Sequence, residues 1–264
     1  MGIMKDHTPK SVLITGASKL VGRHLALDLA RRGWVVHLHY RASAEAAEDT
    51  AHQIQKFGGR CFLHQADLAD AAAAEALVLS LPIHEGVMGL IHNASLFDLD
   101  DADTVSAEMI NRHMAVNMTA PAVMTRAFAA MIKPKFPTTK GAVINITDAK
   151  LSGLNPDYYS YTLSKIAMDG LTTLAAQAYA PHIRVNAIAP GITLRSGDQT
   201  DAEYKIAHQR NPLRQGAMLD DIARAAIMIL DTTSMTGHTI TIDGGLHLSP
   251  PNRDVAFLEE VSSS

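Results

Sequence analysis

Tyr161 and Lys165 stand four residues apart in "DYYSYTLSK", Asp157 to Lys165. On a helix that interval puts a phenol and an ammonium on one face, whereas Tyr158 and Tyr159 have no lysine at the same spacing. A phenol with its ordinary pKa of about 10 is a poor acid or base at neutral pH. A cation held beside it favours the phenolate and lowers that value, so Tyr161 is expected to exchange a proton with a substrate oxygen or nitrogen. A Y-x-x-x-K pair arises by chance in about one chain of this composition in five. The pair therefore carries weight only if the surrounding elements bring a second reactant to it.

Those elements are legible as an alternation. Short apolar, β-branched runs at 12–16, 34–40, 61–67, 89–95, 142–147, 183–190 and 239–243 read as strands. Helical patterns fill 20–32, 43–57, 70–79, 106–132, 159–180 and 220–230. Strand then helix, repeated, implies an α/β fold: one Rossmann-type domain over 1–264, a doubly wound parallel sheet with helices on both faces. Sites in that fold gather outside the carboxyl ends of the strands. A polar insertion at 193–212 is long enough to act as a substrate lid, and residues 249–264 form a C-terminal tail.

The first strand ends in "TGASKLVG", Thr15 to Gly22, with a helical pattern directly after it. Gly16 permits a tight turn and Gly22 a close approach of helix to strand, so backbone N–H groups can face a pyrophosphate. The second strand discriminates between dinucleotides, because an NAD site calls for an acidic residue near its end. Here "HYRAS" supplies Tyr40, Arg41 and Ser43 instead, and with Lys19 these suit a 2′-phosphate, so NADPH is the expected cofactor. Asp67 in "QADL" either accepts from an adenine amino group or caps the next helix. "HNAS" ends the fourth strand and sets Asn93, Ala94 and Ser95 at the cofactor rim. With a nicotinamide so placed, a hydride from the ring and a proton from Tyr161 would together complete a reduction.

Composition narrows the partners. Net charge −4 without a basic stripe argues against nucleic acid and anionic membrane, and no apolar stretch approaches the roughly 18 residues of a membrane span. A single cysteine, Cys61, fits a reducing cytoplasm. His37 and His39 share a strand face, but nothing else completes a metal site, and none is expected. "DLDDAD", Asp98 to Asp103, lacks the central glycine of a calcium loop and reads as a solvated acidic loop.

From about residue 11 to residue 248 the chain resembles a short-chain dehydrogenase/reductase. The likeness rests on "TGASKLVG", "HNAS", Asn117 in "AVNMTAP", Tyr161 with Lys165, "IRVNAIAPG" and "DGG" at 243–245. It implies an Asn, Ser, Tyr, Lys catalytic set, with Asn117 supporting a water relay to Lys165 and Lys165 binding the nicotinamide ribose. It also implies cofactor contacts from Ser18, Leu20 and Leu68, from Thr147, Pro190 and Gly191, and a homotetramer. Thirteen positions before Tyr161, where that family usually has serine, stands Asp148. An ionised carboxylate there opposes phenolate formation, yet it can pair with an amino-pyrimidine edge or pass a proton to a ring nitrogen, needs that arise with pterins. The substitution, with "LHYRAS", "HNASLF", "TDAK" and "DGGLHL", resembles the pteridine reductase and dihydromonapterin reductase branch, described in part as alternative dihydrofolate reductases. By that likeness Phe97 stacks on the pterin, Ser95 bonds substrate or phosphate, Tyr158 lines the pocket, and Leu20 replaces a common arginine. The expected substrate is a small dihydropterin; the alternatives are another small ketone or an NADP-binding regulator without turnover.

Overall fold

The computed structural model describes residues 10–82, 87–134, 141–193, 208–254 and 257. Seven strands form one sheet: β1 (Ser11–Ile14), β2 (Val35–Tyr40), β3 (Cys61–Gln65), β4 (Val87–His92), β5 (Gly141–Ile146), β6 (Ile183–Pro190) and β7 (Thr239–Ile242). Their order is β3-β2-β1-β4-β5-β6-β7, and every neighbouring pair is parallel. The helices are α1 (Leu20–Arg31), α2 (Ala44–Lys56), α3 (Ala71–Leu79), α4 (Ala107–Met114), α5 (Ala120–Ile132), α6 (Tyr159–Tyr179) and α7 (Leu219–Asp231).

Central strands β1, β5 and β6 are buried along their whole length, because helices cover both faces of the sheet. Alternate residues feed two cores. Val12 and Ile14 pack with Leu25, Leu29, Ile222 and Ile229 of α1 and α7. Leu13 points the other way, to Leu77, Met124, Phe128 and Ala175 of α3, α5 and α6. Each such large side chain contributes about 2 kcal/mol on burial. The edge strand β3 keeps only half-covered faces, with Phe62 and Leu63 exposed.

The sheet sets the site by its order. The chain runs from β1 outward to β3, then crosses to β4 on the other side of β1, so the loops after β1 and β4 diverge and leave a crevice between them. Strands expected to reach Gly16, Asp67, Ser95, Thr147 and Asp243 end earlier, at Ile14, Gln65, His92, Ile146 and Ile242. The residues left over have turned out of the ladder to form the rim.

The single helix expected over 106–132 is divided. A π-helical turn, Ala115–Thr119, separates α4 from α5. Pro121 has no N–H to return to the carbonyl four residues back, so the tighter ladder is weakened there. Of the 193–212 insertion, 194–207 fall outside the described residues, as does most of the tail beyond 254. No helix among the described residues is long and apolar enough to cross a membrane.

Candidate active site

The glycine loop after β1 is held by its neighbours rather than by its own side chains. Gly16 lies at φ +62, and a Cβ there would come within 2.9 Å of the Ala94 backbone. At Gly22 a Cβ would stand 2.4 Å from the Gly16 carbonyl oxygen and 2.6 Å from Asn93 Nδ2, so only glycine lets α1 begin this close to β1. Asn93 Nδ2 donates to the carbonyls of Thr15 and Gly16, at 3.0 and 3.1 Å, and Thr15 Oγ1 accepts from the backbone N–H groups of Asn93 and Ala94. Gly16 N–H donates to His39 Nδ1 at 3.1 Å. The other nitrogen, Nε2, must then carry the proton and donate to Ala66 O at 3.1 Å, which fixes a neutral tautomer. Burial, foremost, holds the His39 pKa below its usual value. Nothing in the spacing of His39 announces this role. His37, its strand neighbour, instead bonds His64 and stacks on Phe62.

A cavity of about 600 Å³ opens beside this loop. It is lined at one end by Gly16, Ser18, Lys19, Leu20, Tyr40, Arg41, Ser43, Asp67 and Leu68. Asn93, Ala94, Ser95, Thr147, Pro190 and Gly191 line its middle, and Phe97, Asp148, Tyr161 and Lys165 its far end. Three expected residues do not line it. Gly22 lies under the loop, Asn117 is fully buried, and Tyr158 is stacked on Phe97. Leu20, at φ +53 and 66% exposed, stands at the cavity edge in the left-handed region that glycine prefers. Asp67 accepts from Ala69 N–H, while the cap of α3 is Asp70, so capping that helix is not its work.

The side chains of Lys19, Arg41 and Ser43 make no hydrogen bond or ion pair among the described residues, and all three line the cavity. Cationic and hydroxyl donors gathered without internal acceptors suit a dianionic phosphate. The donor set and the Cβ-free approach at Gly16 thus fit a dinucleotide phosphate.

At the far end the helix α6 carries Tyr161 and Lys165 on one face. Tyr161 Oη donates to Asp148 Oδ2 at 2.7 Å. Asp148 Oδ1 accepts from Lys150 N–H at 2.8 Å as the short helical turn 149–152 starts. Lys165 Nζ donates to Ile146 O at 2.8 Å and lies 5.5 Å from the centre of the Tyr161 ring. The expected lowering of the phenol pKa is not what this environment produces. Burial, then the carboxylate of Asp148, pushes Tyr161 well above its usual value, so it is a neutral phenol with a proton to donate. Burial also pulls Lys165 down to about 8, against the opposing pull of Asp148.

Asn117 lies within the π turn. Its Oδ1 accepts from Leu96 N–H at 2.7 Å, and Nδ2 donates to Leu96 O and to Ser164 Oγ, both at 2.9 Å. It therefore ties the loop after β4 to α6. Phe97, next in that loop, stacks on Tyr158 with ring centres 4.1 Å apart and meets Tyr161 edge-on at 4.6 Å.

The acidic loop is also not simply solvated. Asp100 is buried and accepts from Ser160 N–H at 2.9 Å and from the Ser160 hydroxyl. It caps α6 from a distance, where the N-cap residue Tyr158 sits at φ +52 and offers no side-chain cap of its own. The sequence hid this because Asp100 and Ser160 are sixty residues apart.

A glycine loop opening a helix, a phosphate-suited donor set and a Tyr–Lys pair one turn apart, all on a doubly wound sheet, define the class of dinucleotide-dependent oxidoreductases. A family profile described as Enoyl-(Acyl carrier protein) reductase matches residues 16–247, and the chain belongs to the short-chain dehydrogenase/reductase family. It is 30% identical over 243 residues to an uncharacterised oxidoreductase of Escherichia coli, covering 88% of this chain and 98% of that one. A dihydromonapterin reductase of Klebsiella pneumoniae is 25% identical over 243 residues, 92% of this chain and 98% of its own. Among solved structures, an alternative dihydrofolate reductase of Brucella suis in complex with NADP superposes with a TM-score of 0.85 at 34% identity, over 92% of this chain and 96% of that one.

Proposed function

We propose that the chain is an NADPH-dependent reductase taking a dihydropterin, of the dihydromonapterin, dihydrobiopterin or dihydrofolate type, to its tetrahydro form. The observation that carries this is the 2.7 Å hydrogen bond from Tyr161 to Asp148, with Phe97 edge-on to the same phenol. The Brucella likeness and the Lys19, Arg41 and Ser43 donor set support the cofactor. When bound, NADPH supplies the hydride.

The remaining requirements are a proton and a means of holding the ring. Tyr161, kept neutral by burial and by Asp148, has a proton to give from Oη to a substrate nitrogen or oxygen. Each Asp148 oxygen accepts one hydrogen bond within the protein and retains a lone pair for an amino N–H of a pyrimidine edge. Lys165 offsets the negative charge left on Tyr161 once the proton has gone. Phe97, backed by Tyr158, offers an apolar wall for a flat ring. A ketone would use the same phenol, so Asp148 separates the two substrate classes. A homotetramer in the cytoplasm belongs to the proposal on the family likeness alone.

NADPH oxidation measured across dihydromonapterin, dihydrobiopterin, dihydrofolate and several small ketones tests it. Asp148→Ser should lower kcat/KM for dihydropterins about 100-fold while costing ketones less than about tenfold. Equal losses on both would remove the pterin assignment and leave a carbonyl reductase.

A further inference from the structure

Near Asp148 the cavity is also lined by a segment from the other end of the chain. Pro250, Pro251 and Asp254 line it. Pro250 is pressed on Gly153 so closely that a Cβ there would meet it at 2.1 Å. Arg253 grips Asp157 through Nε at 2.9 Å from both carboxylate oxygens, with a third contact from its terminal nitrogen at 2.8 Å. Asp254 N–H donates to the same carboxylate at 2.6 Å. Burial works against the charge on Asp157, but Arg253 and that N–H outweigh it and hold its carboxyl below the usual range. Lys150 completes the knot. Its Nζ donates to the Asp157 carbonyl, lies 3.9 Å from the Asp254 carboxylate and stands over the Tyr158 ring.

Asp157 lies four residues before Tyr161 and immediately before the left-handed Tyr158 whose ring backs Phe97. The ion pair therefore joins the C-terminal segment to the turn that opens the Tyr161 helix. We infer that the Arg253–Asp157 latch makes residues 249–254 the outer wall of the substrate site, and that this wall sets which substrates enter, favouring short substituents over long ones. The assignment rests on the Asp148 end being the substrate end. Two prolines limit length because they cannot yield easily, and the wall they form is pinned at Gly153 and Asp157. Arg253 touches neither Asp148 nor Tyr161, so it is a positioning residue.

The test is Arg253→Met in the full chain, with 6-methyl-7,8-dihydropterin and dihydrofolate as the short and long substrates. Arg253 is half exposed, so the change spares the core, and Arg253→Glu, setting carboxylate against carboxylate, gives a second variant of the same sign. Hydrogen exchange at 249–254 reports whether the segment has been released. With release, KM for the short substrate should rise with kcat unchanged. The ratio of kcat/KM values, short over long, should fall about tenfold, and NADPH affinity should stay within twofold. Arg253→Lys should recover part of the ratio. A released segment with an unchanged ratio overturns the wall, and so does a segment that stays protected in both Arg253 variants. Should the parent reduce neither dihydropterin, the pterin assignment fails alone. The same ratio is then read on a short and a long β-keto thioester, where an unchanged value overturns the wall.

Discussion

Around Gly16 the cavity wall is backbone packed on backbone, whereas around Asp148 it is assembled from side chains of distant stretches. The glycine-loop end is fixed by Gly16 against Ala94, Gly22 against the Gly16 carbonyl, and the Asn93 and His39 contacts that hold the turn. The Asp148 end gathers Phe97 from the loop after β4, Asp148 and Lys150 from the loop after β5, the start of α6, and Arg253 with Asp254 from the far C-terminal segment. Backbone packing tolerates one residue type at each position, while side-chain assembly can be rebuilt with other partners. The first end therefore suits a cofactor that never varies, and the second a substrate that does.

Changes at the two ends should accordingly separate affinity for cofactor from chemistry on substrate. The largest effect belongs to the Asp148 end. Tyr161→Phe should lower kcat by about 10³-fold or more, with NADPH affinity unchanged in a fluorescence titration. Surviving turnover would move the proton donor elsewhere. At the opposite end, Gly22→Ala should act on binding first. Its Cβ would stand 2.4 Å from a carbonyl oxygen, so the loop must shift, and the NADPH dissociation constant should rise about 100-fold with kcat at saturation reduced far less. A variant losing kcat while keeping affinity would erase the distinction between the ends. Arg41→Asp is gentler. It should reverse the preference from NADPH towards NADH by about tenfold or more in kcat/KM, with Lys19 and Ser43 keeping some of the phosphate contact.

The same contrast accounts for what could be read from sequence. The glycine loop, Tyr161 with Lys165, and the seven strands were visible because each depends on local spacing: a turn needing glycine, a helical turn, a run of β-branched residues. Asn117 is reached through the family resemblance, but its tie to Leu96, 21 residues away, is not, and Asp100, His39 and Arg253 work through partners 60, 23 and 96 residues away, where no spacing rule reaches. The helix break at Asn117 had a local sign in Pro121, whose missing N–H weakens the ladder just there. The direction of the Tyr161 shift was legible only in part: Asp148 at thirteen positions upstream already opposes the phenolate, but the larger cause, burial of the phenol, depends on packing that no spacing shows.

Acid should divide the two ends as well. Burial keeps three histidines near the glycine loop and its strands neutral: His92 is pulled down to about 3, His37 to about 4, and His39 also lies below its usual 6.5. In the unfolded chain each gains a proton as pH drops below about 6.5, but in the fold His37 does so only near 4, His92 only near 3, and His39 at some pH below its usual value. The unfolded state then binds more protons, so stability falls with falling pH from about 6.5, and for His92 the loss continues to about 3. Each such group costs at most about 1.4 kcal/mol per pH unit. Denaturant unfolding at pH 7 and pH 5.5 should therefore show a clear loss, and His92→Gln, which keeps a polar atom near Thr125 Oγ1, should reduce that loss by about 1 kcal/mol. His39 adds a binding consequence, because protonation removes the Nδ1 acceptor that holds the Gly16 N–H. NADPH affinity should therefore hold through the usual imidazole range and weaken only at lower pH, once His39 takes a proton in the fold. If NADPH affinity holds after an NMR titration shows His39 protonated, the glycine-loop end does not depend on that neutral imidazole.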